Sequence, residues 1–230
     1  MTAERLRGIR ACVFDAYGTL FDVASAARRC ADALGAEVAP RLAALWRDKQ
    51  LQYTWLRAAQ QRHADFWQIT GDALDFALDT LGFDRPGLRD RLMALYLTLD
   101  AYPEVASTLE RLKRAGMRTA ILSNGTPDML AAAVKGASLE GLLDAVLSVE
   151  EVHAFKPDPR VYQLAVDRLG LPASAIAFQS ANAWDAHAAS AFGMRVVWCN
   201  RLSQRRERLP GDPDRAISSL AELPALVGAP

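Results

Sequence analysis

Hydrophobic and polar positions follow two different rhythms along the chain. Residues 9–15, IRACVFD, form a short apolar run ending in a carboxylate, which predicts a buried strand. Residues 25–99 then carry helical spacing almost throughout, with later stretches over 65–81 and 88–97. In the first long stretch Leu42, Leu45, Trp46, Tyr53 and Leu56 fall on one stripe. Arg47, Leu51, Trp55 and Ala58 fall at i, i+4, i+8 and i+11, on a second. A helix with two apolar faces is expected to touch two neighbours, and an arginine on one of them needs a reason.

After Tyr102-Pro103 the rhythm changes. A helix stops at Gly116, and the apolar run TAILS enters the polar loop SNG and a new helix. A strand near AVLSV, the loop HAFKPDP, a helix over 160–169 and the strand AIAFQS follow. A helix over 184–192, the strand RVVWCN, an Arg-rich loop and a short helix within SLAELPALV complete the pattern. Strands alternating with helices predict right-handed crossovers and a parallel sheet. The expected fold class is therefore α/β, with a Rossmann-like, doubly wound core over 1–21 and 101–230. The all-helical segment over 22–100 reads as a cap domain inserted after the first strand. There is no internal repeat.

Composition narrows the function. Lys+Arg and Asp+Glu both number 27, so the formal charge is zero and nothing favours nucleic acid or an anionic membrane as a partner. Arg205, Arg206 and Arg208 read as solvated surface. The three cysteines are odd in number and lack a CxxC pair, which argues against a disulfide framework or zinc knuckle; Cys12 and Cys199 sit in apolar runs and read as core. MTAERLRGIR has no apolar signal segment, and no run approaches the ~18 apolar residues that span a bilayer, so the expectation is a cytoplasmic protein. His63, His153 and His187 have no partner at metal-ligand spacing in the sequence and read as structural or exposed.

Ligands of an open parallel sheet bind beyond the carboxyl ends of its strands. Four polar groups fall there: Asp15 with Thr19; Ser123 with Asn124; Lys156, with Tyr162 in the next helix; and Ser180, Asn182 and Asp185. Each has a plainer explanation alone. Asp15 could cap a turn, Lys156 could be a surface lysine, and Asn182 or Asp185 could cap a helix. Together they suggest one site. A carboxylate can displace a good leaving group and form an ester, and at a dry strand end it needs a cation to stay charged. Lys156 is the candidate cation. Ser123-Asn124-Gly125 precede a helix start with Pro127 near its first position, where free N–H groups favour an anion.

The stretches DAYGTLFD, SNG, KPD and SANAWD together resemble the haloacid dehalogenase superfamily. LWRDKQLQYTWLR, AILSNGTPDML and FKPDPRVY are similar to the L-2-haloacid dehalogenases within it, and the resemblance runs from about residue 9 to 200. It implies hydrolysis of short L-2-haloalkanoic acids to D-2-hydroxy acids and halide, through an ester on Asp15 and with no cofactor or metal. It implies that Ser123 holds the substrate carboxylate, and that Arg47, Asn124 and Trp184 receive the halide. Lys156, Asp185, Ser180, Asn182 and Thr19 would position the nucleophile and the hydrolytic water, with Tyr162 near Lys156 or the substrate carboxylate. Tyr17, Leu51, Phe66 and Trp184 would form the apolar wall. A homodimer is implied by analogy, with the aromatic-rich cap helix as the interface. One departure is Ser180-Ala181-Asn182, where the family commonly has Ser-Ser-Asn; His187 is a second unusual residue.

Two other readings compete. Phosphatases of the superfamily carry a second Asp two residues after the nucleophile and bind magnesium. Here that position is Tyr17, and the last motif has only Asp185 as an acid. A non-catalytic binder of small acids would gain nothing from two carboxylates in its pocket.

Overall fold

The computed structural model describes residues 5–229; the remaining ends of the expected core, 1–4 and 230, lie outside it. Six strands form one parallel sheet: β1 (Ala11–Phe14), β2 (Arg118–Ser123), β3 (Ala145–Ser148), β4 (Ile176–Ser180), β5 (Arg195–Cys199) and β6 (Arg215–Ile217). Their order is β3-β2-β1-β4-β5-β6. β1 is therefore the strand from which the order runs outward both ways, the switch point where such sheets bind ligands. Every residue of β1 and β4 is buried, as expected of central strands covered on both faces. β6 is the strand that the hydrophobic pattern did not reveal. It has three residues, RAI, and only one of them is buried.

Between β1 and β2 lie α1 (Ser25–Arg28), α2 (Ala31–Leu34), α3 (Val38–Ala59), α4 (Phe66–Leu81) and α5 (Leu88–Tyr96). The helical segment leaves and rejoins the core side by side: Asp22 N donates to Asp100 O at 2.8 Å and Tyr102 N to Leu20 O at 3.0 Å. α3 corrects the expected stripe. Its buried positions are Ala39, Leu42, Trp46, Gln50 and Thr54, whereas Leu56 is 49% exposed. Two polar residues occupy the inner face because they have partners there: Gln50 Nε2 donates to Thr70 Oγ1 at 2.7 Å, and Thr54 Oγ1 to Leu51 O at 2.6 Å. On the second face Arg47 and Leu51 are partly buried, and Trp55 and Ala58 are exposed.

The rest of the core is α6 (Val105–Arg114), α7 (Pro127–Gly136), α8 (Pro159–Leu169), α9 (Ala183–Phe192) and α10 (Leu223–Val227), alternating with the strands. α7 and α8 start with a proline behind a side-chain cap, Thr126 and Asp158 respectively. All three cysteines are buried and free; burial pushes the Cys12 thiol up to about 12, and burial first, with Glu104 and Glu222 against an opposing Arg201, pushes that of Cys199 to about 11. They are packing residues. Among the described residues no helix is long and apolar enough to cross a membrane.

Candidate active site

Serines end β2, β3 and β4, and Asp15 follows β1 directly. Asp15 N still donates to Gln179 O at 2.8 Å, so its backbone continues the sheet ladder. The chain then turns sharply: the N–H groups of Thr19, Leu20 and Phe21 all point at Ala16 O, at 3.3, 2.9 and 3.0 Å. Gly18 makes the turn possible at φ +94, which disfavours any side chain. The result returns Thr19 to Asp15. Thr19 Oγ1 donates to Asp15 Oδ2 at 3.1 Å and accepts from Ala181 N at 2.8 Å.

Lys156 is almost fully buried and bridges two carboxylates. Its Nζ lies 3.1 Å from Asp15 Oδ1 and 2.9 Å from Asp185 Oδ2. Burial by itself would lower the Lys156 pKa, but Asp15 and Asp185 outweigh it and the pKa is raised. Asp185 is raised too, first by burial and then by Asp15, with Lys156 opposing. Lys156 Nζ also faces the Phe178 ring at 4.9 Å. Its backbone N donates to Asn124 Oδ1 at 3.0 Å, which ties the loop after β2 to the loop before α8.

Asn182 occupies the cap position of α9, yet its side chain makes no capping bond. It turns inward instead: Nδ2 donates to Asp15 Oδ2 at 2.9 Å, and Oδ1 accepts from Arg47 Nη2 at 3.3 Å. Ser180 Oγ accepts from Asn182 N at 3.1 Å and so shapes this turn rather than facing the cavity. Arg47 comes from the helical segment. Nη2 also donates to Tyr17 O at 3.2 Å, and Nη1 to Gln50 Oε1 at 2.8 Å.

These groups surround a cavity lined by Asp15, Tyr17, Arg47, Leu51, Phe66, Ser123, Asn124, Lys156, Asn182 and Trp184. Its volume is ≈ 10 Å³, about the space of a single water, so the helical segment is closed over it. Tyr17 is wedged between Phe66, at 5.8 Å between ring centroids, and Tyr96, at 5.5 Å. Burial first, then Tyr96, pushes the Tyr17 phenol well above its ordinary value.

Tyr162 does not line this cavity. Its hydroxyl donates to Asp185 Oδ1 at 2.7 Å, so it supports Asp185 from behind. Ser123 does line it, and its Oγ accepts from Gly125 N at 3.1 Å. His187 is buried but faces elsewhere, with Nδ1 2.8 Å from Gly211 O. His63 and His153, without partners at ligand spacing in the sequence, are brought together with Glu150 by the fold. Sequence reasoning passed over Gln50 and Tyr96, which bond each other at 3.0 Å and hold Arg47. A polar residue on the inner stripe of α3, three positions after Arg47, was the available signal. Gly125 was also passed over as a packing residue: a Cβ there would stand 2.8 Å from Tyr17 Cε2.

A parallel sheet with a carboxylate-bearing turn after its central strand, beneath a helical segment, is the frame of a hydrolase family. The haloacid dehalogenase-like hydrolases match residues 9–193, and the chain belongs to that family. Within it, the chain is 50% identical over 216 residues to (S)-2-haloacid dehalogenase 4A of Burkholderia cepacia, covering 94% of this chain and 93% of that protein. The crystal structure of a dehalogenase superposes with a TM-score of 0.93 at 49% identity, covering 96% of this chain and 97% of the other. The L-2-haloacid dehalogenase of Xanthobacter autotrophicus, with chloropropionic acid covalently bound, superposes at 0.88 with 40% identity, covering 96% and 98%.

Proposed function

We propose that the protein is an (S)-2-haloacid dehalogenase that converts short L-2-haloalkanoic acids to D-2-hydroxy acids and halide through an ester on Asp15. The observation that carries this reading is the arrangement around Asp15. One oxygen faces the Lys156 ammonium, and the other accepts from Thr19 and Asn182. The carboxylate is thus paired on both oxygens and aimed in a nearly dry cavity.

In the first step an Asp15 oxygen attacks Cα of the substrate. The C–X bond breaks with its electron pair on the halogen, and configuration inverts. The substrate carboxylate sits at Ser123 and the N–H groups entering α7. The departing halide meets Arg47, Asn124 and the edge of Trp184. A halide needs no proton. This agrees with Tyr17, whose raised pKa makes it a poor acid for a leaving alkoxide. In the second step water adds to the ester carbonyl of Asp15, placed by Asp185 and Lys156. Collapse restores the Asp15 carboxylate and releases the hydroxy acid and a proton. Tyr17, Leu51, Phe66 and Trp184 exclude other water from the displacement.

The donor set suits an ammonium between the carboxylates better than magnesium, which wants near-octahedral oxygen ligation. The helical segment over 22–100 acts as the lid, hinged where residues 20–22 lie beside 100–102. Trp55, Leu56 and Phe76 leave apolar surface exposed on α3 and α4, which supports pairing of two copies through these helices.

The test is halide release from L- and D-2-chloropropionate in the presence of EDTA. Release from the L form alone, indifferent to EDTA, is expected. Metal-dependent phosphate release from a monoester, with no halide from either enantiomer, overturns the reading. Light scattering of the purified protein tests the dimer.

A further inference from the structure

His63 lies in the loop between α3 and α4, whereas Glu150 and His153 lie between β3 and α8. The fold closes this distance in sequence. One ligand atom from each of the three residues falls within a group no more than 4.8 Å across. His63 Nε2 is 3.0 Å from Glu150 Oε2. The His63 and His153 rings meet edge-on at 5.6 Å, and His63 lies flat on Phe155 at 4.9 Å. The Phe155 contact fixes the plane of one imidazole in advance.

Glu150 provides an independent observation. Its Oε1 is buried and has no hydrogen-bond partner among the described residues. A buried carboxylate oxygen left unpaired is costly, and a bound cation would satisfy it. His63 and His153 line a cavity of ≈ 340 Å³, which leaves room for water to complete an ion's coordination. Two arginines also line this cavity and would repel a cation, but both are already paired: Arg57 with Asp72 at 3.0 Å and Arg160 with Asp158 at 2.7 Å.

We propose that His63, Glu150 and His153 form a zinc-type divalent-metal site that ties the helical segment to the core. Two imidazoles and one carboxylate are a set that zinc accepts in tetrahedral geometry, with a fourth position for water. Tetrahedral donors stand roughly 3.3 Å apart at zinc bond lengths, so small side-chain rotations close the group around the ion. The ion replaces the direct His63–Glu150 contact and adds a tether remote from the paired segments 20–22 and 100–102. The site is separate from Asp15 and makes no claim on the reaction there.

The test uses the full, untagged chain and zinc chloride, with heat of binding and melting temperature as readouts. One zinc per chain is expected, and Tm should rise with zinc concentration, since the ion binds only the folded state. His153→Ala and Glu150→Gln should each weaken binding ~10-fold or more and remove the rise in Tm. His153→Ala deletes an exposed ring that meets His63, and Glu150→Gln keeps the shape; circular dichroism confirms the fold of each. Cobalt(II) should give a visible absorption band that both variants lose. No zinc binding by the parent chain, or equal binding by both variants, overturns the proposal.

Discussion

Lys156 and Asp185 form an ion pair of 2.9 Å in which the side chains are 1% and 0% exposed. A pair this dry survives because each member has further partners: Asp15 on one side and the Tyr162 hydroxyl on the other. Lys156→Met leaves two carboxylates together without their cation. It is expected to cost about 3–5 kcal/mol, read by urea denaturation, and to abolish halide release. Adding Asp185→Asn should recover part of that stability, because the repulsion is gone. A double variant no more stable than Lys156→Met contradicts this account of the pair.

Asp185→Asn alone separates stability from chemistry. Burial raises the pKa of Asp185, so its ionised form gains nothing from folding. The asparagine can accept from Lys156 with Oδ1 and donate to Tyr162 with Nδ2. Its Tm is expected to equal or exceed that of the parent, while hydrolysis of the Asp15 ester slows by ~10² or more. Asp185→Ala, which leaves both partners unsatisfied, should melt lower.

The alkaline limit follows from the sign of the Lys156 shift. A lysine whose folded pKa is raised contributes stability in full below its unfolded value of about 10.4, and loses it as pH rises through the folded value. Stability and turnover are therefore expected to show no loss assignable to Lys156 up to about pH 10. A Lys156 ammonium resonance titrating near neutral pH would contradict the raised value.

Arg47 is held by Gln50, and Gln50 by Tyr96 and Thr70. Arg47→Ala should lose most turnover without unfolding the protein. Gln50→Leu leaves the guanidinium present but unsteadied, and is expected to lower kcat/KM by roughly 10² through misplacement. Steady-state kinetics of both variants, with circular dichroism as the control, check this. Near-normal turnover of Arg47→Ala would refute its place at the halide.

Gly125 allows the loop after β2 to pass close to Tyr17. A Cβ would come within 2.8 Å of a ring that is itself packed against Phe66 and Tyr96, so the ring cannot yield freely. Gly125→Ala is expected to destabilise by about 1–3 kcal/mol and to raise KM for haloacids as Tyr17 is pushed into the cavity. An unchanged Tm and KM would show that the loop adapts.

Much of this was legible in the chain because strands and helices differ in period. The run ending at Asp15, the alternation after residue 102 and the polar residues at strand ends all follow from local spacing. Three features were not legible, each for a physical reason. β6 is too short and too exposed to carry a strand pattern. Gln50 and Thr54 interrupt the apolar stripe of α3, since what buries them is partners elsewhere in the helical segment or its own backbone. The meeting of His63 with Glu150 spans 87 residues and exists only through tertiary packing. Tyr162, expected near Lys156 or the substrate carboxylate, meets Asp185 with its hydroxyl, and Asp185 in turn meets Lys156.

The central claim is that Asp15 forms the covalent bond. A single turnover of L-2-chloropropionate in water labelled with oxygen-18, followed by mass spectrometry of the peptide containing Asp15, tests it directly. The expected result is label in the Asp15 carboxylate and none in the first-turnover product. Label in the product alone would mean that water attacks the substrate carbon itself, and would contradict the account.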